Sequence, residues 1–216
     1  MKVKLLTTAA AVAIAAVTFA GAAHAADLAC LITKNNTNPF FVKMKEGAEA
    51  AIKAAGLDFQ AYAGEKDGDA SPQITAIENC VTAGAKGILI TASNDSVAPA
   101  LKKAREAGIL VIALDTQIGD PEAQDMTFAT DNFQAGLLIG QWAKATLGDK
   151  AASAKIAMLD IDKTNISVDV QRDTGFLKGF GIDVPDLTVL GSETDPRVIG
   201  HETSEASVPG GQTAME

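Results

Sequence analysis

The chain has 216 residues, with 27 Asp and Glu against 18 Lys and Arg, and a formal net charge of −9. An acidic surface without a basic cluster repels phosphates and anionic membrane surfaces, which excludes nucleic acid and an electrostatically held membrane as partners. Neutral or cationic small molecules remain.

In chain order, Lys2 and Lys4 precede an uncharged apolar run, Leu5 to Ala20, and Ala23-His24-Ala25 offers a small-x-small cleavage pattern. The run is Ala-rich and short for a membrane span. Residues 1–25 therefore read as a cleaved secretory leader, with an N-terminal anchor as the competing reading. Losing Lys2 and Lys4 takes the basic count from 18 to 16 against 27 acidic residues, a net charge of −11 for an exported chain starting near Ala26.

Strands and helices then alternate. Leu28 to Thr33 is an apolar strand, and Asn38-Pro39 forms a cap-plus-proline helix start. Phe41, Met44, Ala48, Ala51, Ile52 and Ala55 recur at helical spacing up to Gly56. Leu57 to Ala63 reads as the second strand, and Ser71-Pro72 opens a helix ending at Gly84. Gly87 to Thr91 is the third strand, Ser96 caps a helix ending at Gly108, Ile109 to Asp115 is the fourth strand, and Met126 to Thr130 the fifth. Short glycine-marked returns between such elements predict an α/β fold, a doubly wound parallel sheet. A second series follows: helix Asn132 to Leu147, strand Ala154 to Asp160, helix Gln171 to Phe180 and strand Leu187 to Gly191. Thr194 to Gly211 reads as a polar loop, and Gln212 to Glu216 as the opening turn of a further helix. The predicted organisation is a leader over 1–25, a first lobe over 26–131 and a partial second lobe over 132–216, so the second lobe reads as incomplete and the chain as truncated; a small complete appendage is the competing reading.

Standard catalytic signatures do not emerge, and no catalytic residue, metal ligand or cofactor is predicted. His201-Glu202-Thr203-Ser204-Glu205 resembles the start of a zinc helix but lacks its second histidine and falls in the predicted loop. Lys34-Asn35-Asn36-Thr37 stands where a phosphate-cradling glycine loop would follow the first strand, and the glycines of 175–181 have the wrong spacing for one. Asp67-Gly68-Asp69 reads as an ordinary turn. Cys30 and Cys80 fall near one end of the sheet, and in an exported chain they form either a disulfide, the favoured reading, or two buried thiols.

In a parallel sheet the carboxyl ends of the strands share one edge, so residues just past each strand converge. These are Lys34 and Asn38, Gly64-Glu65-Lys66, Thr91, Asp115-Thr116 and Asp131-Asn132. Asp115 can accept two hydroxyl hydrogen bonds from a vicinal diol or serve a turn. Asn38 is either a helix cap or a ligand donor. Phe41 fits the buried helical stripe, whereas Phe40 lies off it and can offer a ring face to a sugar.

Thr37-Asn38-Pro39-Phe40-Phe41, Ile112-Ala113-Leu114-Asp115-Thr116, Thr130-Asp131-Asn132 with Gly136, and Gln171-Arg172-Asp173-Thr174-Gly175-Phe176 together resemble the ribose-type periplasmic sugar-binding proteins of ABC importers. Cys30-Leu31-Ile32-Thr33-Lys34 and Asp195-Pro196-Arg197-Val198-Ile199-Gly200 are most similar to the fructose-binding subgroup. The resemblance implies a two-lobed receptor in the periplasm that captures a monosaccharide and meets an importer permease. It implies that Lys34, Asn38, Phe40, Phe41, Thr91, Asp115, Thr116 and Arg172 contact ligand, and that Thr130 and Asp131 lie at the first lobe crossing, as hinge. Many ribose binders have arginine where this chain has Thr116, and often asparagine where it has Thr91, so the resemblance implies a sugar without specifying ribose. Two other readings are an exported sugar-processing enzyme, which needs opposed carboxylates for which only Asp115 and Asp160 are candidates, and a sugar sensor. A regulator with the same sensor fold needs an N-terminal DNA-binding unit where this chain has its leader.

Overall fold

The computed structural model describes residues 26–216; the leader reading concerns residues 1–25 and lies outside them. The first strand, β1 (Leu28–Thr33), is buried from Cys30 onward, as a central strand covered on both faces must be. After it come α1 (Pro39–Ala54), β2 (Asp58–Ala63), α2 (Ser71–Thr82), β3 (Gly87–Ile90), α3 (Ala98–Glu106), β4 (Leu110–Leu114) and β5 (Met126–Phe128). The five strands form one sheet in the order β2-β1-β3-β4-β5, and every pairing is parallel.

The helix ends follow local chemistry. Asn38 caps α1, its side chain accepting the Phe40 amide at 3.0 Å, with Pro39 at the first helical position. Before α3, Asn94 rather than Ser96 is the capping residue: it accepts the Ser96 amide and starts a 3₁₀ turn, Asp95–Val97, that runs into the helix. The core between sheet and helices is aliphatic, with Ile32, Ile77, Ile88, Ile90, Leu101 and Val111 fully buried. Within it Cys30 of β1 and Cys80 of α2 are joined as a disulfide, with Cα atoms 6.4 Å apart. A link across 50 residues is worth about 4 kcal/mol in the chain-entropy picture.

The second series contains α4 (Asn132–Leu147), β6 (Ile156–Asp160), α5 (Ser167–Phe180), β7 (Val198–Thr203) and α6 (Val208–Met215); β6 and β7 form a two-stranded parallel sheet. Three expectations are corrected here. Residues 187–191 are not a strand: the Asp186 carboxylate accepts both the amide and the hydroxyl of Thr188, and Ser192 Oγ donates to the Asp186 carbonyl, so side-chain bonds close this segment into turns. The strand lies instead inside the predicted loop, at Val198–Thr203, where Gly200 and the polar His201 and Glu202 concealed it. Helix α5 also begins four residues earlier than expected, at Ser167.

Helices α4 and α5 meet through paired glycines. A methyl group on Gly136 would collide with the Arg172 carbonyl, one on Gly140 with that of Phe176, one on Gly175 with that of Phe133, and one on Gly179 with that of Leu137. Both helices carry a Gly-x-x-x-Gly pair on the facing stripe, so backbone packs on backbone at a separation that side chains would forbid. Of the glycines too irregular for a phosphate loop, Gly175 and Gly179 are a packing surface, and Gly181, at φ 87°, ends α5.

Candidate functional site

The sheet register sets the site. Thr33 pairs with Ala63, Ile32 with Ile90, Ile90 with Ala113 and Leu114 with Phe128, so the carboxyl ends of β1 to β5 finish together. Gln73 of α2, fully buried, locks part of this edge: its amide donates to the carbonyls of Thr33 and Thr91 and accepts the Ser93 amide.

Lys34, the first residue past β1, is 2% exposed, with Nζ 3.7 Å from Asp67 Oδ1. Burial pushes the Lys34 ammonium below the usual lysine range, and the nearby charges of Asp67, Asp115 and Asp162 only partly oppose this. Burial likewise raises the Asp67 carboxyl, against the pull of Lys34. Both shifts have one cause: the pair is withdrawn from water and lacks enough partners to repay that. Asn35 shapes the adjoining loop, its Oδ1 accepting the amides of Thr37 and Asn38 and its Nδ2 reaching Asp67 at 3.4 Å.

Asp115, past β4, holds φ 64°, a left-handed conformation uncommon for a residue with a side chain. Its amide is tied to the Phe128 carbonyl and its Oδ2 accepts the Thr116 hydroxyl at 3.0 Å. Phe40 is 51% exposed while Phe41 is 5% exposed, their rings edge to face at 5.3 Å. Asn38, Pro39 and Asp67 line a cleft of about 550 Å³ closed from the other side by Glu205 to Pro209, the loop into α6 and the start of that helix. Glu205 and Ala206 both hold positive φ there. The two halves also touch where Ser167 Oγ donates to the Gln117 carbonyl at 2.8 Å and where Asp162 packs on Gly68, whose added Cβ would stand 2.7 Å from Asp162 Oδ2.

The predicted site residues therefore divide. Lys34, Asn38, Phe40 and Asp115 gather along the sheet edge. Thr91 and Thr116 lie beneath it, fully or nearly fully buried, Thr91 accepting the Lys34 amide. Arg172 is exposed and lines a separate groove of about 380 Å³ between α4, α5 and β6, with Ile139, Met158 and Phe176. Asp131 caps α4 by accepting the Gln134 amide, and Asn132 ties back to the Thr130 carbonyl. Sequence reading missed Asp67 and Asp162; the one available signal for Asp67 was its place just past the second strand.

A second polar cluster lies between β6, β7 and α5. His201 sits on β7 rather than in a loop, with Nδ1 at 3.0 Å from Asp160 Oδ2 and Nε2 at 2.7 Å from Glu193 Oε1. Asp160, a candidate for an opposed carboxylate pair in the sequence, is thus held against an imidazole. Burial of the ring lowers the His201 pKa, but Glu193 and Asp160 outweigh this and the net shift is upward. Burial and the neighbouring carboxylates push the Asp173 carboxyl up to about 8, and burial pushes Asp169 up to about 6.

A parallel sheet with flanking helices is the α/β architecture in which ligands bind outside the carboxyl ends of the strands. Residues 28–212 match the family described as periplasmic binding protein domain, and the chain belongs to that family. It is 30% identical over 146 residues to a D-apiose import binding protein of Paraburkholderia graminis, covering 67% of this chain and 46% of that protein. It is 31% identical over 149 residues to a ribose import binding protein of Escherichia coli, covering 68% of this chain and 49% of the relative. The chain spans about half the length of these curated relatives. Among solved structures, a sugar transporter from Clostridium phytofermentans matches with a TM-score of 0.70 at 24% identity, over 85% of this chain and 63% of that one. A periplasmic solute-binding protein from Actinobacillus succinogenes with bound D-allose matches with a TM-score of 0.68 at 23% identity, over 87% of this chain and 63% of that one. At these identities the solved structures speak for the fold. No helix of the described residues is long and apolar enough to cross a membrane.

Proposed function

We propose that the protein is an exported receptor that captures a monosaccharide in the periplasm and delivers it to the permease of an ABC-type importer, without chemical conversion of the sugar. The observation that carries this reading is the gathering of a buried ammonium, Lys34, with the carboxylates Asp67, Asp115 and Asp162 at the carboxyl edge of the sheet. Alternating acceptors and a donor suit a polyhydroxylated ring, whose hydroxyls satisfy both kinds of group. Phe40 offers the exposed apolar face that a sugar ring packs on, and Phe41 holds the helix start in place. The names of the relatives, ribose and apiose import binding proteins, and the D-allose bound in a fold neighbour support an aldose of five or six carbons. Fructose rests on the local resemblance of two segments alone. Thr130 and Asp131, in the segment joining the two series, act as the first hinge strand, and Arg172 meets the ligand when the halves close.

Calorimetry with ribose, apiose, allose, arabinose and fructose tests the reading. At least one of them is expected to bind saturably, and Asp115→Ala to weaken it by about 2–5 kcal/mol, tens- to thousands-fold, through loss of charge-assisted hydrogen bonds. A folded protein that binds none of the five, or an Asp115→Ala variant with unaltered affinity, overturns it. Turnover of the bound sugar would restore the enzyme reading.

A further inference from the structure

The second polar cluster has a feature that its internal hydrogen bonds leave unexplained. Asp160, Asp173 and His201 each offer one donor atom, all within 4.8 Å of one another. Asp173 is 9% exposed, and its Oδ2 is buried without a hydrogen-bond partner. That oxygen stands 4.0 Å from His201 Nδ1, which is itself 3.0 Å from Asp160 Oδ2. Two carboxylates turned toward one imidazole nitrogen leave an acceptor surplus at the centre, which only a proton or a cation can fill. Glu193 holds the far nitrogen of the same ring at 2.7 Å, the placement by which a carboxylate orients a metal-binding histidine. A cleft of about 340 Å³, lined by Asp160, Asp162, Asn165 and His201, connects the cluster to solvent.

We propose that Asp160, Asp173 and His201 form a binding site for a first-row divalent cation of the zinc type, with His201 Nδ1 and one oxygen of each aspartate as ligands and Glu193 as the group that orients the imidazole. Tetrahedral coordination at bond lengths near 2.1 Å places ligand atoms roughly 3.4 Å apart. The observed separations of 3.0 and 4.0 Å bracket that spacing, so small side-chain rotations suffice. One imidazole with two carboxylates favours zinc, cobalt or nickel over calcium, which takes six to eight oxygens. The ion replaces the proton between His201 Nδ1 and Asp160 and the proton that Asp173 carries, and both leave to solvent. A site joining β6, β7 and α5 would fasten the two-stranded sheet to its helix, a structural role independent of sugar capture.

The test uses chelator-treated protein titrated with Zn²⁺ by calorimetry, thermal melts with and without Zn²⁺, and the visible absorption of added Co²⁺. One ion per chain, a higher melting temperature and tetrahedral Co²⁺ bands are expected. Asp173→Asn and His201→Gln should abolish all three, while Glu193→Gln should keep the stoichiometry and weaken binding about 10- to 100-fold. Asp173→Asn is nearly isosteric, and its metal-free melt shows directly whether it folds. Absence of saturable Zn²⁺ uptake by the wild-type protein overturns the proposal, as does uptake unchanged in both ligand variants. If Zn²⁺ leaves the wild type unmoved while metal-free Asp173→Asn melts higher, the aspartates share a proton, and the metal site is refuted.

Discussion

Residues 28–131 bury the stripes of three helices against a continuous five-stranded sheet, with twelve aliphatic or sulfur side chains of that core fully shielded from water and a disulfide through its centre. Residues 132–215 use the same alternation of elements on a two-stranded sheet, with a smaller apolar cluster around Leu177 and Phe180. There cohesion comes from backbone contact between α4 and α5 and from a buried polar knot on β6 and β7. The first half is held by area removed from water, which tolerates local change. The second is held by a few close contacts that must all be right, because backbone against backbone and carboxylate against carboxylate have no slack. Leu138, Ile139, Trp142 and Leu159 of the second half remain exposed, while in the first half Leu110, Met126 and Phe128 are exposed toward the β4–β5 end.

The contrast can be broken at several points. The largest effect is expected from Gly175→Leu: a side chain driven into the Phe133 carbonyl cannot be accommodated without separating α4 from α5, so residues 132–215 should lose cooperative folding while the first half remains protected. Hydrogen exchange showing uniform protection in this variant would mean that the helices have room to part. Next, replacing Cys30 and Cys80 by serine should cost about 4 kcal/mol and lower protection mainly in β1 and α2. Denatured, unreduced wild-type protein should show no reactive thiol; two reactive thiols would remove the disulfide from the first half's account.

A smaller effect separates the two aromatics of α1. Phe41→Ala, emptying a buried position, should cost about 3 kcal/mol, whereas Phe40→Ala at its exposed neighbour should stay within about 0.5 kcal/mol and weaken sugar binding instead. Equal melting temperatures for the two variants would erase that division of labour. The smallest effect concerns the entry to β7. Hydrogen bonds from Arg197 hold the Asp195 carboxyl at about 2, below its ordinary value. A depressed carboxylate stabilises above its unfolded pKa and loses that contribution as pH falls through the folded value, so the Asp195 carboxyl carbon should titrate by NMR near pH 2. A midpoint near 4 would show the Asp195–Arg197 clasp to be open in solution.

The first half was legible almost residue by residue because each of its signals is local: apolar runs for buried strands, Asn38-Pro39 for a helix start, glycine at each return. The bounds of β1 and α4 agree with expectation, and β2 to β5 differ only at their ends. The strand at Val198–Thr203 escaped because, after Val198, its half-buried positions are Gly200, His201 and Thr203, matching a polar knot rather than an apolar core. Its substitute at Leu187–Gly191 carried the better hydrophobic pattern and lost to the hydrogen bonds of Asp186 and Ser192.

Of the candidate site, residue types and their positions past the strands could be read from order alone, since a parallel sheet brings every strand's carboxyl end to one edge. Lys34 and Asp115 follow from that rule. What order could not supply is which charges share a buried space. Lys34 takes Asp67 from the next strand's loop, the field of Asp162 reaches it from the other half, and Thr91 turns under the edge instead of along it. His201 looked like a fragment of a motif until β7 placed it between Asp160 and Glu193. Local pattern dictates strands, helices and caps because those depend on neighbours in the chain. Pairing of buried charges and the interlock of Gly136, Gly140, Gly175 and Gly179 depend on distances between segments far apart in sequence, and only the packed chain sets those.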